Sequence, residues 1–361
     1  MSNNKEVWFD IQMSGCPTAC MHCYANGGYK SFMPFEDFKW VFDNVIGYFE
    51  KNNIKILPNL FHEMYAHPDI DKIQPIVNTY FNSEGETIFN PATTTGVPFA
   101  IRDDWREVMS GMKDIGIKFF WFTFHGIGEK HDRIVNRTGA FKETCLAIKR
   151  AKEMGFEWGC NVMVYKHTIE QARELFQIFD DLGIDRGSSW DTIGYYPLHR
   201  VRKLEELRPE LSDVLNVSDL LAEKSEFNGT DWANPSAFTE SSLYTKAVNN
   251  TDEFDKLQEN DNLVNLVCTE GMDVYSEHGN ILKTYYGNLK KDGVSQVLDK
   301  AINEPKDKYR LSMYYNRDNY LPIKEIATKV GNPNGQKIYI GGDVDISRCW
   351  IDRYYTDDRR Y

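Results

Sequence analysis

The chain has 361 residues, too many for one minimal domain at roughly 100 to 200 residues per domain, which excludes a small module or a peptide hormone. Its 41 % hydrophobic and 14 % aromatic content can fill a sizeable core, and its 27 % charged residues form no long block of one sign, which argues against disorder. With 54 acidic against 42 basic residues the formal net charge is −12, a balance opposed to a broad grip on phosphate backbones, so nucleic acid is not an expected partner.

The N-terminal MSNNKEVWFD lacks the basic start and apolar stretch of a secretory signal, and no run approaches the ~18 apolar residues that span a bilayer. A soluble, cytoplasmic protein with no membrane partner is expected. From residue 7 onward, short apolar or β-branched runs recur at 7–13, 54–61, 86–90, 117–124, 157–165 and 188–196, and these read as six strands. Between the first two, Phe38, Val41, Phe42, Val45, Ile46 and Phe49 follow helical spacing over 35–50, so one face of that helix must be buried. Similar stripes mark 103–115, 139–154 and 168–182, and these run into Gly116, Gly155 and Gly183, the expected helix stops. The segment 69–83 also reads as a helix, although Pro75 would break an interior turn unless the helix starts near it.

Strand followed by helix, six times over, calls for right-handed crossovers and a parallel sheet with helices outside. The expected fold class is therefore α/β, a partial (βα)6 parallel barrel over residues 1–202. A polar, irregular helical connector is expected over 203–262 and a small α+β extension over 263–361, with a hairpin at 273–289, a helix near 294–302 and a tyrosine-rich tail. Chemistry in such sheets sits at the C-terminal ends of the strands, so the loops beginning near 14, 62, 91, 125, 166 and 197 should share one mouth.

Seven cysteines is an odd number, and three of them fall in the first of those loops as Cys16-Pro-Thr-Ala-Cys20-Met-His-Cys23. Clustering of this kind indicates a metal site in a reducing compartment rather than a disulfide framework. Thiolates spaced by three and two residues can wrap one corner of a cubane cluster, leaving one of four irons open to a ligand. Structural zinc is the other reading, though it needs four closed ligands and no second CxxC exists here.

The spacing, directly after a first strand and followed by further βα units, resembles the CxxxCxφC signature of the radical S-adenosylmethionine (SAM) superfamily, over roughly residues 7–200. The resemblance implies that Cys16, Cys20 and Cys23 hold a [4Fe-4S] cluster, that SAM chelates the fourth iron, and that its reductive cleavage releases a 5′-deoxyadenosyl radical. It also implies a flavodoxin- or ferredoxin-type reductant and places His22 where an aromatic usually lies beside the adenine. The family's GGEP segment, often continued as LLHPDI, corresponds here to Phe61-His62-Glu63-Met64-Tyr65-Ala66-His67-Pro68-Asp69-Ile70. Glu63 and the HPDI tail align, whereas both glycines are replaced, and His62 either faces substrate or fills the space of the lost glycine turn. TTTG at 93–96, Thr123-Phe124-His125-Gly126, Arg137-Thr138-Gly139-Ala140-Phe141 and Asn161 resemble later family landmarks. They add Thr123, His125, Arg137 and Asn161 to His22 and Glu63 as SAM-site candidates, each set against an ordinary cap or strand-end role. Arg137 has a further alternative, capping a turn through Asp132.

The stretch 271–302 resembles a SPASM or Twitch extension, which normally carries about seven cysteines for auxiliary clusters, while only Cys268 and Cys349 are present here. A degenerate extension without auxiliary iron favours a redox-neutral outcome, such as epimerisation, rearrangement or carbon-carbon bond formation, on a ribosomal peptide or a small natural-product intermediate. Cys268 and Cys349 are then candidate catalytic hydrogen-atom donors, against the reading of each as a buried small hydrophobe. A dehydrogenase or maturase that keeps an auxiliary cluster, an activating enzyme for a glycyl-radical partner, and a metal-stabilised binding protein are the other readings. Because the first strand begins so early, a peptide substrate would need a separate recognition protein or the connector, and the tyrosines at 285, 286, 314, 315, 354 and 355 either line a groove or pack.

Overall fold

A computed structural model describes residues 6–13, 15–23, 28, 32–61, 63–81, 91–192, 204–249, 263–276, 284–303, 321–340, 342, 346–347, 349–350 and 353–354. Strand β1 (Glu6–Gln12) alternates: Val7, Phe9 and Ile11 are buried, whereas Trp8 and Asp10 turn to the opposite, more open face. The buried set meets helix α1 (Phe35–Lys51), whose expected stripe is buried throughout, with the Phe9 and Phe49 rings edge to face at 6.2 Å. Strand β2 (Lys55–Phe61) lies parallel to β1, in the register Glu6↔Lys55 to Gln12↔Phe61.

Helix α2 (Ile70–Phe81) falls on the expected segment 69–83 and keeps Pro75 in its interior. Pro75 and Asp71, whose carbonyl loses the missing amide, are both exposed, so the freed oxygen is on the solvent side of the helix. Strand β3 (Ala92–Thr94) falls on the TTTG motif, and the strand expected at 86–90 lies outside the described residues. Strands β3, β4 (Phe119–Phe124), β5 (Glu157–Val164) and β6 (Ser188–Thr192) form a fully parallel four-stranded sheet in that order. Between them run α3 (Val97–Ile101), α4 (Trp105–Asp114), α5 (Glu129–Val135), α6 (Ala140–Glu153), α7 (Lys166–Glu170) and α8 (Ala172–Asp181). Gly116, Gly155 and Gly183 have φ of 90°, 76° and 66°, the left-handed helix exits their positions predicted.

This is the expected α/β partial barrel, its six parallel strands lying in two sheets, with one addition. Strand β7 (Leu263–Cys268), not anticipated, pairs parallel with the free side of β1. Strands β8 (Asp273–Tyr275) and β9 (Tyr285–Asn288) continue that sheet antiparallel, giving the order β2-β1-β7-β8-β9 and realising the expected hairpin on either side of the undescribed 277–283. The expected helix near 294–302 spans Val294–Asn303, and its Asp299 accepts a 2.6 Å hydrogen bond from Tyr48 of α1.

The connector covers the exposed edge of β6. Ser225 bridges Ser188, Glu226 N–H donates to the Ser188 carbonyl at 2.9 Å, and Trp232 Nε1 donates to the Trp190 carbonyl at 2.8 Å. Buried Asn228 acts as a surrogate strand: Oδ1 accepts from Trp190 N–H at 3.3 Å, and Nδ2 donates to the Trp190 carbonyl and to Asp191 Oδ1. Asn228→Ala would leave the Trp190 N–H without its partner, while the Trp190 carbonyl keeps Trp232, and should lower stability by about 2 kcal/mol, read from a urea unfolding midpoint.

A second buried network fastens 337–340 to the connector. Arg208 donates to Glu205 at 2.9 Å and stacks over Tyr339, whose hydroxyl donates to Glu205 at 2.8 Å, while Lys337 approaches the same carboxylate at 3.4 Å. Burial pushes the Glu205 carboxyl up, but Arg208 and Lys337 outweigh it and hold it at about 2. Its stabilising contribution is therefore complete above the ordinary glutamate range and is lost as pH falls toward 2. Stability measured by urea unfolding should drop between pH 4.5 and 2.5, and Glu205→Gln should flatten that part of the profile.

Candidate active site

The loop after β1 carries Cys16, Cys20 and Cys23, all half-buried. It is strapped to the end of α5, where Ala19 N–H donates to the Val135 carbonyl at 3.1 Å and Met21 N–H to that of Ile134 at 2.8 Å. These carbonyls belong to the last turn of a helix and lack partners within it, so the loop completes the helix while the helix shapes the loop. Thr18, 3 % exposed, places Oγ1 3.0 Å from Cys16 Sγ and 3.3 Å from Cys20 Sγ, and Cys23 N–H closes a turn on the Cys20 carbonyl at 3.1 Å.

Arg137 grips Glu143 through two bonds of 2.6 and 2.8 Å and donates to the Pro17 carbonyl at 3.3 Å. It thus braces the cysteine loop. The cap considered for Arg137 belongs to Asp132 itself, whose carboxylate accepts from Gly139 N–H at 2.6 Å and Phe141 N–H at 2.8 Å at the start of α6.

Glu63 is buried, with Oε1 accepting from the Thr94 hydroxyl and Oε2 from Thr95 N–H, both at 2.7 Å. Burial raises its pKa, and the Thr95 and Thr94 donors oppose the rise. The aligned HPDI tail is an anchor: His67 Nε2 donates to the Met33 carbonyl at 2.7 Å, and its Nδ1 accepts from Asp69 N–H at 3.0 Å. His62 lies outside the described residues.

Four histidines from three loops converge beside the cysteines. The His22 and His125 rings stack at 4.4 Å, with 38° between planes. His125 N–H donates to His131 Nδ1 at 3.1 Å, the Tyr165 hydroxyl lies 3.4 Å from His125 Nδ1, and His167 Nε2 donates to the His125 carbonyl at 2.7 Å. Burial lowers the pKa of His22 to about 4 and of His131 to about 4, and burial together with the neighbouring histidines lowers that of His125, so the stack is neutral at pH 7. Nδ1 of His22 is buried with no hydrogen-bond partner among the described residues. A cleft with about 400 Å³ of empty space opens here, lined by Thr18, Cys20, His22, Thr95, Thr123 and His125 among others.

Thr123 and Asn161 are direct cross-strand neighbours, and Asn161 in turn faces Ser189 on β6. Alternation directs this row away from the core, where Phe122, Phe124, Cys160 and Val162 are buried. Two residues beyond Ser189, on the same face, Asp191 accepts from the Ser189 hydroxyl at 2.6 Å and from Asn228 at 2.9 Å, and burial raises its pKa. Sequence reasoning misses both Asp191 and Thr18. Polar residues at alternate positions of a predicted strand are the available signal for the first, and nothing distinguishes the second.

Cys268 and Cys349 lie in two different apolar clusters. Cys268 pairs in register with Ile11 of β1 and is fully buried, its thiol 3.6 Å from the Thr269 carbonyl. Cys349 is buried 4.0 Å from an Arg208 nitrogen, in a cluster that also holds Tyr165 and packs against Met21 of the cysteine loop.

The donor set fits an iron-sulfur cluster with a nucleoside cofactor. Burial, with the Glu63 carboxylate adding to it, pushes Cys16 well above the ordinary thiol range, and burial pushes Cys20 up to about 12, so a thiolate pair here calls for bound positive charge. The orphaned His22 nitrogen offers a buried hydrogen-bonding atom beside the cleft. Among the described residues, no three His, Cys, Asp or Glu side chains close on a single-ion position.

An open α/β barrel with three thiols in the loop after its first strand defines the class. Residues 11–179 match the family model of the Radical SAM superfamily. The fold is similar to that of anSMEcpe with bound AdoMet, at 13 % identity and a TM-score of 0.52, covering 98 % of this chain and 94 % of that one. It also aligns with Streptococcus suis SuiB bound to precursor peptide SuiA, at 17 % identity and a TM-score of 0.48, covering 84 % of this chain and 66 % of that one, so this chain spans just under two thirds of SuiB. No curated protein matches it in sequence. Residues 11–179 are therefore a radical SAM domain, and the chain that carries it is an enzyme. No helix among the described residues is long and apolar enough to cross a membrane.

Because the Arg137 guanidinium joins α6 to the cysteine loop, Arg137→Ala should speed amide hydrogen exchange across residues 15–23 several-fold while leaving β4 and β5 unchanged. Mass spectrometry of the exchanged peptides reads this directly.

Proposed function

We propose that Cys16, Cys20 and Cys23 hold a [4Fe-4S] cluster, that SAM binds at its open iron, and that the enzyme abstracts hydrogen from a ribosomal peptide or a small natural-product intermediate with a redox-neutral outcome. The observation that carries the reading is the loop itself: three cysteines at the C-terminal end of β1, two of them sharing one hydroxyl, beside the cleft walled by His22 and His125. When bound, the cluster and SAM supply one electron and a 5′-deoxyadenosyl radical. The chain's own residues position and shield. The neutral His22–His125 stack offers a flat face to the adenine, with His22 Nδ1 as its hydrogen-bonding atom. Thr123 and Asn161 stand side by side on the open face of the sheet for the ribose or carboxylate. Glu63 and Arg137 act one step back, Glu63 by fixing the Thr94–Thr95 turn and Arg137 by fixing the cysteine loop.

Substrate is assigned to the face bearing Asn161, Ser189 and Asp191, with Asp191 as the group that meets a substrate N–H. The separation of Cys268 and Cys349 into two apolar clusters supports an extension without auxiliary iron, hence a product radical that returns its electron rather than passing it on. A flavodoxin- or ferredoxin-type protein would deliver the electron that first reduces the cluster.

The test is iron, sulfide and zinc content per chain after anaerobic reconstitution, for the wild type and for Cys16→Ala/Cys20→Ala/Cys23→Ala, with 5′-deoxyadenosine release under dithionite. About four irons and nucleoside release, both abolished in the variant, are expected. Iron persisting in the variant would point to an auxiliary cluster and oxidative chemistry, and about one zinc without iron would end the radical reading.

A further inference from the structure

We propose that the Thr18 hydroxyl is a hydrogen-bond donor to the cysteine sulfurs and raises the reduction potential of the cluster they carry. The inference rests on the assignment of Cys16, Cys20 and Cys23 as cluster ligands. Thr18 lies in the middle of the CxxxC spacer, is buried, and places its hydroxyl 3.0 Å from one ligand sulfur and 3.3 Å from the next. It makes no other side-chain hydrogen bond among the described residues.

Chemistry decides which way the bond points. Free thiols can donate to the threonine oxygen, but sulfurs bound to iron carry no proton and only accept. The single hydroxyl proton must then turn toward Cys16 or Cys20. The backbone on both sides is fastened, Pro17 by Arg137 and Ala19 by Val135, and the side chain itself is enclosed.

Reduction adds negative charge to the cluster and its sulfurs. A donor aimed at a ligand sulfur therefore stabilises the reduced form more than the oxidised one, and the potential rises. The Thr18 backbone amide also favours charge on Cys16, but any residue other than proline would supply that bond. Only the hydroxyl depends on the threonine side chain. Thr18 acts through the ligand sulfurs, so it is a positioning residue whose effect is read in a potential.

The experiment is an anaerobic redox titration of the reconstituted wild type, Thr18→Val and Thr18→Ser, followed by electron paramagnetic resonance of the reduced cluster, with iron counted in each sample. Valine keeps the shape and removes the hydroxyl, while serine keeps the hydroxyl. The expected result is full iron in all three, a midpoint displaced to more negative potential in Thr18→Val, and a wild-type-like midpoint in Thr18→Ser. Equal midpoints in the valine variant and the wild type, at equal iron content, would overturn the proposal. So would a valine variant that binds no iron while the serine variant does, since the hydroxyl would then serve assembly rather than tuning. A wild-type protein that assembles no cluster would instead remove the ligand assignment beneath the proposal.

Discussion

The hydrogen bonds from Ala19 and Met21 to the last carbonyls of α5 decide where the three thiols stand. The stretch 15–23, with its half-buried sulfurs, takes its conformation from what it is bonded to. Asn136 takes the left-handed conformation, with φ of 53°, and ends α5 where its terminal carbonyls can meet the loop. Asp132 starts α6 four residues after α5 ends, and Arg137 between them reaches back to Pro17. The position of the cysteines is thus set by β4 and the two helices after it, elements more than a hundred residues away in sequence. A change in the α5–α6 turn reaches the site without touching it.

Electrostatics at the site follow from the same enclosure. Burial raises the pKa of Cys16, Cys20 and Glu63 and lowers those of His22, His125 and His131, so each group, left to itself, is driven toward its neutral form. Such a pocket is poorly suited to anions unless positive charge is bound with them, and well suited to flat neutral rings. Those are the two demands of an iron cluster held by thiolates and of an adenine beside it. For His131 burial and bonding agree, since its Nδ1 accepts from His125 N–H, a role an imidazolium cannot fill.

Much of this was legible in the chain. The α1 stripe, the strand-helix alternation, the glycine exits and the cysteine spacing are local patterns, and each is reproduced in the fold. What escaped was non-local. LVNLVC at 263–268 is a short apolar run with no helix following it, and only the empty side of β1 makes it a strand. Helix 168–182 breaks at Gln171 because that side chain is needed elsewhere, accepting from Ile127 N–H at 3.1 Å beyond the end of β4. Pro75 weighed against the helix at 69–83, and the residue it deprives of a bond, Asp71, is exposed. The site divides in the same way: the cysteines announced themselves by spacing, whereas the meeting of His22, His125, His131 and His167 depends on three loops that only the sheet order brings together.

An open barrel has two sheet edges to protect, and this chain protects both with segments C-terminal to β6. On one side β7 occupies the free side of β1, so the strand that delivers the cysteines is central rather than marginal. On the other, residues 225–228 lie along β6 and Asn228 imitates a paired strand. The second cover differs from the first in a way that matters for chemistry. Asn228 spends one hydrogen on the Trp190 carbonyl and the other on Asp191, whose remaining oxygen takes the Ser189 hydroxyl. Edge protection and the aim of the only carboxylate described on β6 are therefore a single arrangement, and the polar face on which substrate is placed cannot be rebuilt without reopening the sheet.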